Sequence, residues 1–219
     1  MKQFVLILLT LFVNNLVCQE IGERYIATGV SGNLMYGQEY LIKDFRTTKK
    51  GKEKILLENT STNTTAEIKK DKLLTHCTKL ITIGSYKVLP IPIIGITTIA
   101  IKSNLSDNEN FLQFGKFLGQ NGFSFELRDN GFLLLKTVER TVKKDLLYKL
   151  NISFSDSLIF INAIYQSLAY SSLNTPQMNM AWIDWSYATL TTDLNYKAYQ
   201  AFYPILEKFE KEILYVVKN

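Results

Sequence analysis

Hydrophobic and polar positions follow several distinct rhythms along the 219-residue chain. The first is an apolar run from Phe4 to Val13, broken only by Thr10, behind Lys2 and ahead of Asn14-Asn15 and Leu16-Val17-Cys18-Gln19-Glu20. A short positive start, a short apolar stretch and a polar exit are the layout of a secretory signal peptide. The run is too short for a spanning helix, which takes roughly 20 apolar residues. The best cleavage point follows Cys18, so residues 1–18 are expected to be removed and 19–219 to form a single domain. Lipidation of Cys18 is the disfavoured alternative, because Val17 and Asn15 stand where that processing wants a small residue and a Leu.

Further along, Tyr25-Ile26-Ala27 and Tyr40-Leu41-Ile42 flank Gly29, Gly32 and Gly37, which predicts two strands around a turn. A charged stretch over 46–54, a short strand over Lys54–Leu57 and an exposed Ser/Thr/Asn turn over Asn59–Thr65 follow. From Leu80 to Ile101 the chain is rich in Ile and Thr and divided by Lys87, Pro90, Pro92 and Gly95, which favours buried strands over a helix. Ser106-Asp107-Asn108-Glu109 has the form of a capping box, with Phe111, Phe114 and Leu118 at helical spacing and Gly119 where the chain should leave the helix. A helix over about 107–118 follows. Gly122 then leads to a hairpin, Phe123–Asp129 and Phe132–Val138 around Asn130-Gly131, with Leu127 opposite Leu134 and Phe123 opposite Val138 in a type I′ register.

The remainder reads as helical. Val138, Val142, Leu146 and Leu150 recur every four residues, Ser155 or Ser157 offers a cap for a segment running to about Ser171, and Thr175-Pro176 resembles another helix start. A last helix from about Pro204 places Leu206, Phe209, Ile213 and Val217 on one face. The expected class is therefore α+β: mainly antiparallel sheet in the first two thirds with a capped helix at about 107–118, followed by a helical C-terminal part.

Composition narrows the function classes. Hydrophobic residues make up 47% and charged residues 21%, as in an ordinary folded chain, and the net charge of +5 becomes +4 once Lys2 is lost. Lys43, Arg46, Lys49, Lys50, Lys52 and Lys54 cluster in one stretch, and Lys136, Arg140, Lys143 and Lys144 in another. Neither is interleaved with stacking aromatics or Gly-rich loops, so no nucleic-acid partner is expected. Past Cys18 only Cys77 remains, and one thiol makes no internal disulfide. The Asn-X-Ser/Thr sites at Asn59, Asn63, Asn104 and Asn151 allow glycosylation, but this composition alone generates about two such sites.

Candidate chemistry is sparse. His76 and Cys77 are adjacent, and neither a strand nor a helix turns neighbouring side chains toward each other. Gly29-Val30-Ser31-Gly32-Asn33 approaches a nucleophile elbow but has Asn33 where the second Gly belongs. One His and one Cys leave no N/S zinc site, and there is no phosphate-cradling Gly loop, so neither metal nor cofactor is expected. Glu126 with Asp129, or Asp184 with Asp193, are the carboxylate pairs that a glycosidase would require. A binding surface is the other option: Trp182, Asp184, Trp185 and Tyr187, if helical, set both indoles on one face as a platform for a carbohydrate or a protein. The competing and favoured assignment puts both indoles in the core. The main expectation is a secreted or periplasmic binding or accessory protein without enzymatic activity, of which an immunity-type protein is one form; the alternative is a secreted hydrolase working through carboxylates.

Overall fold

The computed structural model describes residues 19–129, 133–142, 146–167, 181–190, 192–209 and 211–217. The apolar leader, the Asn130-Gly131 turn and the Thr175-Pro176 helix start lie outside these residues. The chain divides into two compact units, one ending at Lys79 and one beginning at Leu80. Every strand pairing among the described residues is antiparallel.

The first unit is a five-stranded sheet in the order β4-β3-β2-β1-β5, with β1 Arg24–Ala27, β2 Glu39–Thr47, β3 Glu53–Asn59, β4 Thr65–Lys69 and β5 Cys77–Lys79. The charged segment at 46–54 is thus the end of a long hairpin rather than a separate loop. Simple alternation from Tyr40 and Ile42 would turn Asp44 inward. A bulge between Ile42 and Asp44 prevents this, and Phe45 instead opposes Ile55 and packs on the core of Tyr25, Ile42, Ile55, Leu57 and Leu73. On the outer face the cations meet carboxylates: Lys43 pairs with Glu58, and Arg46 and Lys54 both pair with Glu67. A 3-10 turn, Lys70–Lys72, and a one-turn helix α1, Leu73–His76, lead into β5.

The second unit is built on a sheet in the order β6-β7-β15-β8-β13-β12-β10-β9. Its strands are β6 Ile81–Ile83, β7 Tyr86–Leu89, β8 Ile99–Lys102, β9 Phe125–Asp129, β10 Leu133–Thr137, β11 Arg140–Val142, β12 Leu146–Ser155, β13 Leu158–Ser167, β14 Ile183–Asp184 and β15 Ile213–Val217. β11 lies against β12, and β14 against β13. Helix α2, Asp107–Gln120, carries the predicted capping box, with the Ser106 hydroxyl accepting from the Glu109 amide and the Glu109 carboxylate accepting from the Ser106 amide. It ends one residue past Gly119, and Gly122, at φ +75°, is the left-handed residue that lets the chain leave. Helix α3 is Leu194–Glu207.

The expected helical C-terminal part is not present, and the fold is dominated by antiparallel sheet. Val142, Leu146 and Leu150 are strand residues because a spacing of four fits a period of two as well as one of 3.6. The intervening Tyr148, Ile152 and Phe154 complete a strict in-out alternation along β12. The residues taken as helix caps form a tight turn instead. Asp156 and Ser157 have φ of 54° and 60°, as a type I′ hairpin demands, and join the ten-residue strands β12 and β13. Pro204 lies inside α3 rather than at its start, and Ile213 and Val217 belong to β15, where β-branched side chains suit the pleat. The β9-β10 hairpin is also one residue out of the expected register, since Leu127 opposes Leu135 and not Leu134.

The hairpin register fixes what each face presents. Leu89, Tyr215, Ile99, Ile161, Ile152 and Leu135 are directly opposed across six strands and all buried. Both long helices cover this face, with Phe111 of α2 edge-on to Phe154 and Phe202 of α3 against Tyr148. On the opposite face, Phe160, Ala100, Leu214 and Val88 form a second apolar cluster, with Tyr86 against Phe160.

Two outcomes test this fold. Replacing Ser157 by Gly removes a side chain from a left-handed position and should raise stability by about 0.5 kcal/mol, whereas Val there should cost more than about 1 kcal/mol, both read from urea midpoints. In the first unit, burial raises the Glu23 pKa, but hydrogen bonds from Lys79, the backbone at Glu20 and the Tyr25 hydroxyl outweigh it and hold the carboxyl below its usual range. Folding therefore favours the ionised form, and its contribution is complete above the unfolded value of about 4.3 and lost as pH falls through the lower folded value. Glu23→Gln should lower the thermal midpoint at pH 7, and its difference from wild type should shrink progressively as pH falls below about 4.3.

Candidate functional site

The two carboxylate pairs and the aromatic cluster are distributed differently from the sequence expectation. Asp193 is the N-cap of α3, its carboxylate accepting from the Asn195 amide at 2.7 Å. Asp184 is on the short strand β14 and exposed. Glu126 sits on the edge strand β9, and the Asp129 side chain lies outside the described residues.

Residues 182–187 are extended rather than helical, so the two indoles do not share a face. Trp185 is fully buried, stacked on Tyr199 at 5.5 Å and edge-on to Phe202, and its indole N–H donates to the Asn195 carbonyl at 3.0 Å. Tyr187 meets the edge of Tyr199 and exchanges backbone hydrogen bonds with Gly95 and Ile96, which ties down the Pro90-to-Gly95 loop. Burial keeps the Tyr199 hydroxyl protonated, with the Tyr215 hydroxyl at 2.9 Å as its partner. Trp182 is half-buried, and the Lys149 ammonium lies 4.1 Å from its ring centre. Lys149 opposes Ile164, which opposes Asp184. Trp182 and Asp184 thus belong to the sheet face turned away from the helices.

On that same face the structure forms a cleft of about 330 Å³, lined by Thr97, Thr98, Asn151, Asn162, Ala163, Asp184 and Trp185. Its origin is topological. β8 covers one half of β13 and β14 the other, and their ends meet beside Asn162 and Ala163. The Thr98 hydroxyl bonds the Asn162 side-chain oxygen at 2.6 Å, and the Trp185 amide donates to the Ala163 carbonyl. Asn151 directly opposes Asn162, and Lys136 directly opposes Asn151. The two asparagines stand opposite each other at equal distances from the Asp156-Ser157 turn, Asn151 between Lys149 and Ser153 on its face of β12 and Asn162 between Phe160 and Ile164 on its face of β13. That symmetry was the available sequence signal, and it has meaning only once the segment is taken as a hairpin. In the sequence Asn151 stands out only as an Asn-X-Ser/Thr glycosylation site, and Asn162 not at all.

The other candidates are structural. Burial pushes the Cys77 thiol up to about 12, so it is unreactive at neutral pH. The His76 carbonyl accepts from the amides of Thr28 and Gly29, and a Cβ on Gly29 would come within 3.0 Å of the imidazole Nδ1. Ser31 lies in the loop between β1 and β2, where no helix follows it to make an elbow. The Asn59 side chain is buried, with its oxygen accepting from the amides of Ser61 and Thr62, which leaves no room for a glycan there. Among the described residues there is no group of three or more His, Cys, Asp or Glu placed to hold a metal ion, and no helix long and apolar enough to cross a membrane. Comparison with protein-family models, curated proteins and solved structures finds no match to this chain.

The two tryptophans should separate cleanly by mutation. Trp185→Ala should cost about 3–5 kcal/mol in urea unfolding through lost packing, whereas Trp182→Ala should cost less than about 1 kcal/mol.

Proposed function

We propose that this is an exported protein that works by binding, and that the cleft beside Asn151 and Asn162 is its ligand site. The observation that carries this reading is the placement of polar side chains at the centre of a sheet face. Asn151 and Asn162 sit on the two longest strands of the unit, where apolar residues would stabilise the sheet better. The Asn151 side chain has no hydrogen-bond partner among the described residues. A half-buried amide left open in a concave polar site is a recognition feature.

Hydrolysis by a carboxylate pair has less support. Among the described residues Asp184 is the one carboxylate lining the cleft, and Asp193 is committed to capping α3. Glycoside hydrolysis requires two carboxyl groups flanking one bond. A role as an accessory or immunity-type protein remains a form of the same binding reading, with a macromolecule presenting the recognised group.

Export rests on the apolar leader of residues 1–18, and the mature chain is proposed to begin at Gln19. Mass spectrometry of the secreted protein should give Gln19 as the N-terminus; an intact Met1, or a lipid on Cys18, would refute it. For the cleft, a thermal-shift screen of small polar compounds should yield stabilising ligands for the wild type. Asn151→Trp, which fills the cleft from a half-exposed position, should abolish those shifts while keeping the unliganded midpoint within about 3 °C. Ligand shifts that persist in this variant would show that the cleft is not the site.

A further inference from the structure

From the donor and acceptor pattern of the cleft we infer that its ligand is a neutral, hydroxyl-rich ring of the size of one sugar residue. The inference rests on the cleft being the ligand site and concerns only what fills it.

The lining offers both halves of the hydrogen bond within one small space. Asn162 spends its side-chain oxygen on the Thr98 hydroxyl at 2.6 Å, so its two N–H groups remain as donors. Thr98, having donated, retains its lone pairs as acceptors. Asn151 brings an uncommitted amide with both a donor and an acceptor end. Asp184 brings carboxylate oxygens that accept. Interleaved donors and acceptors match groups that do both, and the hydroxyl is the group that does so at every position of a ring.

Charge argues against the ionic alternatives. No cation is among the described residues that line the cleft. The nearby Lys149 ammonium is held between the Trp182 ring at 4.1 Å and the Glu139 carboxylate at 3.4 Å. Lys136, one strand beyond Asn151, directly opposes Glu126. A phosphate or carboxylate ligand would therefore meet the Asp184 carboxylate with no cation among the described lining residues. An ammonium ligand would suit Asp184 but leave the asparagine N–H donors without acceptors, which is costly in a half-buried site. A volume of about 330 Å³ is at the small end of ligand sites, which fits one ring rather than a chain of them. Trp182 lies on the same face as Asp184, two residues along the chain and outside the residues that line the cleft, and its ring is the kind of surface that complements the C–H face of a sugar.

The test is a titration of the mature protein by NMR, following the side-chain amides of Asn151 and Asn162 and the indole N–H of Trp182. The probes are glucose, galactose, mannose and N-acetylglucosamine, with inorganic phosphate, acetate and ethylammonium as ionic counterparts. At least one sugar should shift all three groups saturably, and Asp184→Ala and Asn151→Ala should each weaken that binding by about tenfold or more. Asp184 is exposed, so its variant should fold as the wild type does, and an unchanged backbone spectrum checks this. If an ionic probe moves these resonances and no sugar does, the ligand class inferred here is wrong while the cleft remains the site. If a sugar binds but shifts other residues and is indifferent to Asn151→Ala, both the ligand class and the site are wrong. If no sugar binds at all, the inference fails.

Discussion

The second unit depends on the register of one row, in which Leu89, Tyr215, Ile99, Ile161, Ile152 and Leu135 stand directly opposite one another across six strands. Side chains alternate with a period of two, so a slip of one residue in any strand would turn its apolar members to the wrong face. Both long helices seat on the face this row defines. The Asp156-Ser157 turn sets the register at the centre, where it admits two residues in left-handed conformation and no more. At the other end, β15 arrives from the C-terminal end of the chain to lie between β7 and β8, so the sheet is complete only when a strand distant in sequence is in place. Such non-local pairing closes a long loop before its contacts form, which favours slow folding.

The first unit solves the same problem of facing by a different device. Its sheet buries one side and leaves the other to water, and an uninterrupted β2 would have put Asp44 into the core. One extra residue at the bulge restores the alternation and brings Phe45 inward. The outer face then holds lysines and arginines beside glutamates on neighbouring strands. Exposed pairs of this kind contribute little to stability. Three of the six basic residues of the 43–54 stretch, Lys43, Arg46 and Lys54, are thus set beside acids on neighbouring strands.

The cleft follows from the central register of the second unit. The parity that turns Ile152 and Ile161 toward the helices turns Asn151 and Asn162 the opposite way, where β8 and β14 end beside them. The same parity divides the expected aromatic surface, sending Trp185 into the core and leaving Trp182 with Asp184 on the cleft side. Two of the four residues expected to form a binding surface are therefore on the face of the cleft, and the other two are part of the packing that supports it.

Features set by neighbouring residues were legible in the sequence: the Ser106-to-Glu109 capping box and the glycine-punctuated strands near Tyr25 and Tyr40, because each depends on a few adjacent side chains. The helices expected beyond Val138 failed for a physical reason. A spacing of four is shared by both periods, and Ser155 and Ser157 can cap a helix or flank a turn. The choice was made by partners far away: β8 and β12 on either side of β13, and β15 brought back from the chain end. The pairing of Asn151 with Asn162 is of the same kind. The sequence by itself determined which residues are apolar, which are polar and where short-range caps lie; tertiary structure decided which face each one occupies, because in a sheet that depends on the register of strands distant in the chain.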